Sequence, residues 1–197
     1  MESLDKMKMR NPDIRYLYDL KDVLYDQEWL KQSPNLELYY MYRAIKKENN
    51  IRYDKTVIPA QKLGREFTKT KGHSHPDKFG ELYFVVSGKC FCLIQKTNSQ
   101  EEVEDVYAVE AIKNQYIVIP PGYSHITINH GEETLEMTNW VSDEFHADYS
   151  LIEEKKGASY YYLTDFQWLK NNNYKKVPEL KFKKALDSKP EDLSFLG

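Results

Sequence analysis

Cysteine is scarce in this chain. Two residues among 197 carry thiols, Cys90 and Cys92, both in the run KCFCLIQ. That excludes a disulfide framework and a thiolate-rich zinc module. On one strand the i, i+2 spacing turns both thiols to one face, with Cα atoms roughly 6.5 Å apart by strand rise, where a bridge would be strained. The pair is expected to be small buried apolar side chains in a reducing cytoplasm. Long apolar runs are missing as well, and none approaches the roughly 20 residues of a membrane span. The opening MESLDKMKMRNPDIRYLYDLKD has no signal-peptide core. Basic charge is not in excess: 28 Lys and Arg face 31 Asp and Glu, net −3. That balance gives no reason to expect a nucleic-acid or membrane partner.

What is present is the mixture of a globular chain, 41% hydrophobic and 30% charged, of a length that suits one domain. Residues 1–18 read as a polar arm, 19–186 as one domain with flanking elements, and 187–197 as a tail. DLKDVLYDQEWLKQSPN (19–35) predicts a helix, with Leu20, Val23, Leu24 and Trp29–Leu30 on its apolar face. LELYYMYRAI (36–45) predicts a strand. From residue 81 short β runs alternate with turn residues: ELYFVV, CFCLIQK, VEDVYAVEA, QYIVIPPGY, HITINHGEE and TLEMTNWV. This rhythm predicts an all-β sandwich or barrel. A hairpin is expected around the asparagines of KNNNY, and the YYY at 160–162 is expected in the core or on a dimer surface.

Five histidines occur, and two stand one residue apart in TKTKGHSHPDKFGELYFVVSGK. On a strand His73 and His75 point the same way. Glu81 follows a turn and begins the next strand. PPGYSHITIN delivers His125 at the head of another. Three imidazoles and a carboxylate with room for further ligands suit a catalytic divalent cation such as Fe, Mn, Ni or Zn. A closed structural zinc site usually draws on thiolates, which this chain holds elsewhere. His130 and His146 read as structural or substrate-facing, and His130, beside GEE, as a turn residue. Lys69 and Lys71 read as surface charges.

These residues resemble the cupin signature. HSHPDKFGELYFVVSG matches the first cupin motif from His73 to Gly88, and PPGYSHITIN matches the second, ending at Asn129. The spacing between His75 and Glu81, with TKGHSH before it, is similar to that of the cupin-type phosphoglucose isomerases. YLYDLKDVLYDQEWL, ELYYMYRA, KTVIPAQKLGREFTKTKGHSH and the Asp148–Tyr149 pair extend the likeness across roughly residues 15 to 165. The resemblance implies a cupin barrel (a double-stranded β-helix or jelly roll) with an N-terminal helix and peripheral strands. It also implies a cytoplasmic homodimer and one divalent metal ion, often Fe²⁺. His73, His75, Glu81 and His125 would be the ligands. Thr56, Thr70 and Gly72 would hold a sugar phosphate, with Tyr39, Tyr149 and His146 around the substrate. Two departures fall on the substrate side: His146 stands three residues before Tyr149, where the family has two, and a family tyrosine is replaced around Trp140–Val141.

The implied reaction interconverts glucose 6-phosphate and fructose 6-phosphate, a step shared by glycolysis and gluconeogenesis. Glu81 is the expected proton shuttle and Tyr83 its neighbour one pleat along. A hydride shift is the competing route. Two other classes share the same ligand shell: a cupin dioxygenase, which would consume oxygen, and a non-catalytic cupin that binds a sugar phosphate without turning it over.

Overall fold

Alternation of side chains along short strands organises the protein into two facing sheets. The structure, a computed structural model, describes residues 11–76 and 78–197. The strands are β1 (Asp13–Tyr16), β2 (Glu37–Glu48), β3 (Ile51–Ile58), β4 (Lys62–Leu63), β5 (Glu66–Phe67), β6 (His73–Ser74) and β7 (Glu81–Ser87). They continue as β8 (Lys89–Thr97), β9 (Val103–Ile112), β10 (Tyr116–Ile119), β11 (Ser124–Ile128) and β12 (Leu135–Ser142). Three short strands follow, β13 (Tyr160–Tyr162), β14 (Trp168–Lys170) and β15 (Lys181–Lys184). One sheet runs β1-β2-β3-β12-β7-β10 and the other β15-β9-β8-β11-β6. Neighbours are antiparallel apart from β15 beside β9. Leu38, Ile58, Val85, Leu93, Ile94 and Ile117 close the space between the sheets. This is the all-β cupin barrel that the motifs imply.

Both cysteines are buried free thiols on β8, as expected. Burial is also the main cause that pushes both above the ordinary thiol range, Cys90 to about 12.

The expected helix over 19–35 is instead two short pieces. Leu17–Val23 is a 3₁₀ helix and α1 covers Gln27–Lys31. Leu17, Leu20 and Val23 lie three apart, which a 3₁₀ turn stacks on one line, and all three are fully buried. At about 2 kcal/mol each, that burial outweighs the poorer hydrogen-bond geometry. Leu24 turns extended, because the Tyr25 N–H donates to Glu66 Oε2 at 2.6 Å and not to a helical carbonyl. Asp26 then restarts the chain as N-cap, accepting from the Trp29 N–H at 3.1 Å.

The other boundaries shift in similar ways. Residues 1–10 of the expected arm lie outside the described residues, and its C-terminal part, β1, pairs with β2. The hairpin expected around the asparagines lies earlier. β13 and β14 pair, and the Leu163 N–H donates to the Gln167 carbonyl at 2.9 Å. Asn171 is instead a buried anchor, its amide donating to the carbonyls of Lys155 (2.8 Å) and Ala158 (2.9 Å). The tail docks on the barrel: the Gly80 N–H donates to the Phe195 carbonyl at 2.6 Å, and Leu196 is buried. Tyr160, Tyr161 and Tyr162 are all buried. Among the described residues no helix is long and apolar enough to cross a membrane.

Candidate active site

Register brings the histidines together. β6 and β11 are antiparallel neighbours in which His73 and His125 are direct partners. β6 ends at Ser74, yet the His75 N–H donates to the Tyr123 carbonyl at 2.9 Å, so the pairing continues and both rings enter one space. Glu81 opens β7 on the facing sheet, opposite Ile119 and Val141. The four side chains each place a ligand atom within 4.8 Å of the others. Glu81 Oε2 lies 3.1 Å from His75 Nε2, 3.7 Å from His125 Nε2 and 4.0 Å from His73 Nε2. Donors about 2.1 Å from a shared cation stand about 3.0 to 4.2 Å apart, so these spans fit.

The chemistry of the donors fits as well. His73 Nε2, His75 Nε2 and Glu81 Oε2 are buried atoms with no hydrogen-bond partner among the described residues. Leaving such a group unpaired costs about 1–3 kcal/mol, and one cation would satisfy all three at once. Burial holds the His73 and His125 imidazoles well below their ordinary titration range, and the neighbouring histidines add to the effect. Neutral imidazoles are what a metal requires. The Tyr83 hydroxyl borders the cluster, 3.2 Å from His125 Nε2. Burial, then the Glu81 charge, pushes that phenol well above its usual range, so it keeps its proton.

His73, Glu81 and His125 form part of the wall of a cavity of about 330 Å³. Thr56, Thr70 and Gly72 line the same cavity, as do Tyr39, Tyr149 and His146. Thr70 Oγ1 accepts the Thr127 N–H at 3.0 Å, which ties it to the strand that carries His125. Gly72 has φ +82°, and a Cβ there would lie 2.3 Å from Ile126 Cγ1, so the residue must be glycine. His146 is exposed at the mouth, its Nδ1 2.9 Å from the Glu144 carbonyl.

Residues 14–179 match the family model for glucose-6-phosphate isomerase (GPI). The chain belongs to the glucose-6-phosphate isomerase family. It is 32% identical over 149 residues to the glucose-6-phosphate isomerase of Thermococcus kodakarensis, covering 72% of this chain and 75% of that one. The Pyrococcus furiosus glucose-6-phosphate isomerase is 29% identical over 150 residues, covering 72% and 76%. Among solved structures, the oxalate decarboxylase of Lactobacillus farciminis is 17% identical with a TM-score of 0.44, over 55% of this chain and 30% of that one.

Several residues of this isomerase-family site were not legible beforehand. Asn139 donates its amide to Glu81 Oε1 at 2.5 Å. Phe145 stacks on His75, ring centroids 4.3 Å apart and planes 12° off parallel. Arg43, Arg52 and Asp54 line the cavity, with Arg52 Nε 3.0 Å from Asp54 Oδ2. A signal did exist for some of them. Arg52, Asp54 and Thr56 alternate along β3, and Met137, Asn139 and Val141 along β12, so each polar residue shares a face with one already implicated or buried.

Two sequence expectations are corrected. Lys69 is buried, ion-paired with Glu66 and donating to the Val23 carbonyl at 2.9 Å. Lys71 is tied to Glu153 at 2.5 Å. Neither is a solvated surface charge. His130 lies in the connection between β11 and β12, buried against Phe91 with ring centroids 4.4 Å apart.

Proposed function

We infer that this chain is a metal-dependent aldose–ketose isomerase that interconverts glucose 6-phosphate and fructose 6-phosphate. One observation carries the reading: a cluster of three histidines and a glutamate, with unpaired ligand atoms on His73, His75 and Glu81, meets the cavity of Thr56, Thr70 and Gly72 through His73, Glu81 and His125, in a chain of the glucose-6-phosphate isomerase family. The hydroxyls and the glycine amide are neutral donors that suit a phosphate better than an apolar substrate, which weighs against a dioxygenase.

A divalent cation held by His73, His75, Glu81 and His125 would supply Lewis acidity toward two adjacent sugar oxygens. Three imidazoles and a carboxylate without thiolate suit Fe²⁺, and also accept Mn²⁺, Ni²⁺ or Zn²⁺. The remaining chemistry belongs to the chain. Glu81 takes the proton from carbon 2 of the open-chain aldose and returns it to carbon 1, while the hydroxyl proton passes from the carbon 2 oxygen to the carbon 1 oxygen. Asn139 fixes the carboxylate for that transfer. Tyr83, kept protonated, donates to a sugar oxygen. Phosphate contacts at Thr56, Thr70 and Gly72 orient the carbons by remote binding energy, with Tyr39, Tyr149 and His146 enclosing the substrate. We place the protein in the cytoplasm, in keeping with its two free thiols, and expect a homodimer.

The test is a coupled assay on protein stripped by chelator and reloaded with Fe²⁺ or Mn²⁺. Reloading restores isomerisation, and His73→Ala abolishes it together with metal uptake. Full activity after exhaustive chelation refutes the metal-dependent reading.

A further inference from the structure

Three adjacent strands set the two ends of the cavity. In the register of β7, β12 and β3, Glu81 faces Val141 and Val141 faces Arg52. Further along the same strands Val85 faces Met137 and Met137 faces Thr56. Residues directly opposite share a face, and Glu81, Arg52 and Thr56 all line the cavity. Arg52 and Thr56 stand roughly 13 Å apart along β3 by strand rise. Arg52 is therefore level with Glu81, at the reacting end, and far from Thr56. Val141, between Glu81 and Arg52, brings no polar group.

Arg52 is held from behind at two points. Its Nε donates to Asp54 Oδ2 at 3.0 Å and its Nη1 to the Phe145 carbonyl at 3.4 Å. Asp54 is itself fixed. It is buried, and its Oδ1 accepts the Ala44 N–H at 2.6 Å, where β2 bulges and Ala44 takes φ +50°. A guanidinium carries five N–H donors and no acceptor. The other donors of Arg52 have no acceptor among the described residues. Its side chain is 16% exposed and lines the cavity, so the cavity is what those donors face. Asp54 is also shared, since Arg43 Nη1 stands 3.7 Å from the same Oδ2. Two guanidiniums thus divide one buried carboxylate. Asp13, 3.4 Å from Arg43, is 62% exposed and screened by water.

We propose that Arg52 is a further catalytic residue: its pre-set guanidinium donates hydrogen bonds to the sugar oxygens at carbons 1 and 2 as they gain negative charge, and Asp54 is the residue that positions it. Fixed donors aimed at developing charge need no reorganisation when the reaction occurs. Arg52 gives up no proton, and Glu81 still carries the proton from carbon 2 to carbon 1. The proposal rests on the isomerase reading.

The experiment compares Mn²⁺-loaded wild type, Arg52→Met and Arg52→Lys. The coupled assay gives kcat and KM for fructose 6-phosphate. Calorimetry gives the Kd of two probes: 6-phosphogluconate, with a carboxylate at carbon 1, and glucitol 6-phosphate, with a neutral hydroxyl there. Arg52→Met is expected to lower kcat about 100-fold, with KM within about threefold and metal content unchanged. It should weaken 6-phosphogluconate about tenfold and glucitol 6-phosphate by less than about twofold, because a charged donor favours the charged acceptor. Arg52→Lys should recover part of both losses. A rise in KM at constant kcat overturns the proposal, because it marks binding that is equal in ground and transition states. Equal weakening of both probes, no weakening of either, or loss of metal overturns it too. Removing Arg52 strands the buried Asp54 carboxylate. Should Arg52→Met lose its cooperative unfolding transition, the double variant Arg52→Met with Asp54→Asn decides, since the amide oxygen still accepts from Ala44. Selective loss of the carboxylate probe then supports the proposal, and equal or no loss overturns it. If wild type proves inactive, the isomerase reading fails and the ratio of the two Kd values still judges Arg52. If wild type is active and that ratio is the same in every variant, the proposal falls and the isomerase reading stands.

Discussion

The side-chain amide of Asn139 holds one oxygen of Glu81, Oε1, at 2.5 Å, and so commits the other, Oε2, to the three imidazoles. The two residues sit on adjacent strands, β12 and β7, where Asn139 pairs with Tyr83 and Val141 with Glu81. A hydrogen bond from behind fixes the orientation of a metal-binding carboxylate, and losing such a partner typically costs 10- to 100-fold in affinity or activity. Asn139→Leu should therefore weaken Mn²⁺ binding about tenfold or more by calorimetry, with the fold intact by circular dichroism. Unaltered metal affinity would show that Glu81 is oriented by packing alone.

Phe145 is expected to matter for enclosure more than for ligation. Its ring stacks on His75 and also meets His73 at 5.5 Å. It packs with Phe79 and Val141 in a small cluster separate from the main core. Phe145→Ala should destabilise the protein by about 3 kcal/mol in urea titration and raise KM, while one metal ion per chain is retained because the four ligands keep their own strands. Loss of the metal in this variant would mean that the stacking, not the backbone, aims His75.

How much of this could be read beforehand follows from range. The cluster of His73, His75, Glu81 and His125 was legible because each lies in a local motif whose residue types are unusual for plain strand packing, and strand alternation already sets the facing of His73 and His75. The barrel was legible from strand spacing. The 3₁₀ helix was not, because Leu17, Leu20, Leu24 and Trp29 suit an α-helix equally until Glu66, some forty residues on, captures the Tyr25 N–H. Lys69 looked solvated for the same reason: a lysine reads as surface until its buried partner is known. Asn139 and Phe145 act through register and loop closure, neither of which leaves a mark within their own few residues.

Lys69 and Glu66 are both buried, at 4% and 1% exposure, in the segment that leads into Thr70 and Gly72. Glu66 also accepts the Tyr25 N–H at 2.6 Å. Removing one partner of a buried pair leaves the other charge stranded, at a cost of about 3–5 kcal/mol. Lys69→Met should lose that much stability. Adding Glu66→Gln removes the stranded charge and keeps an acceptor for Tyr25, so the double variant should recover most of the loss. If the two single losses simply add, the pair is not coupled as its geometry demands.

His130 predicts an acid-sensitive share of stability away from the metal cluster. Burial, then the Lys89 charge, lowers its titration from 6.5 to about 4. Glu110 stands 3.2 Å away and pulls the other way, but it is 55% exposed and out of hydrogen-bond alignment, so burial prevails. Between pH 6.5 and about 4 the unfolded chain takes up a proton that the folded chain refuses. Stability from this residue is therefore complete above pH 6.5 and drains as pH falls through that window, by up to about 1.4 kcal/mol per pH unit. Urea titrations of wild type and His130→Leu share every other titrating group, the His73, His75, Glu81 and His125 cluster included, so their difference isolates this residue. That difference should be largest above pH 6.5 and should decline toward pH 4. A difference that stays flat across the window would mean that His130 is as free to protonate in the folded protein as in the unfolded chain.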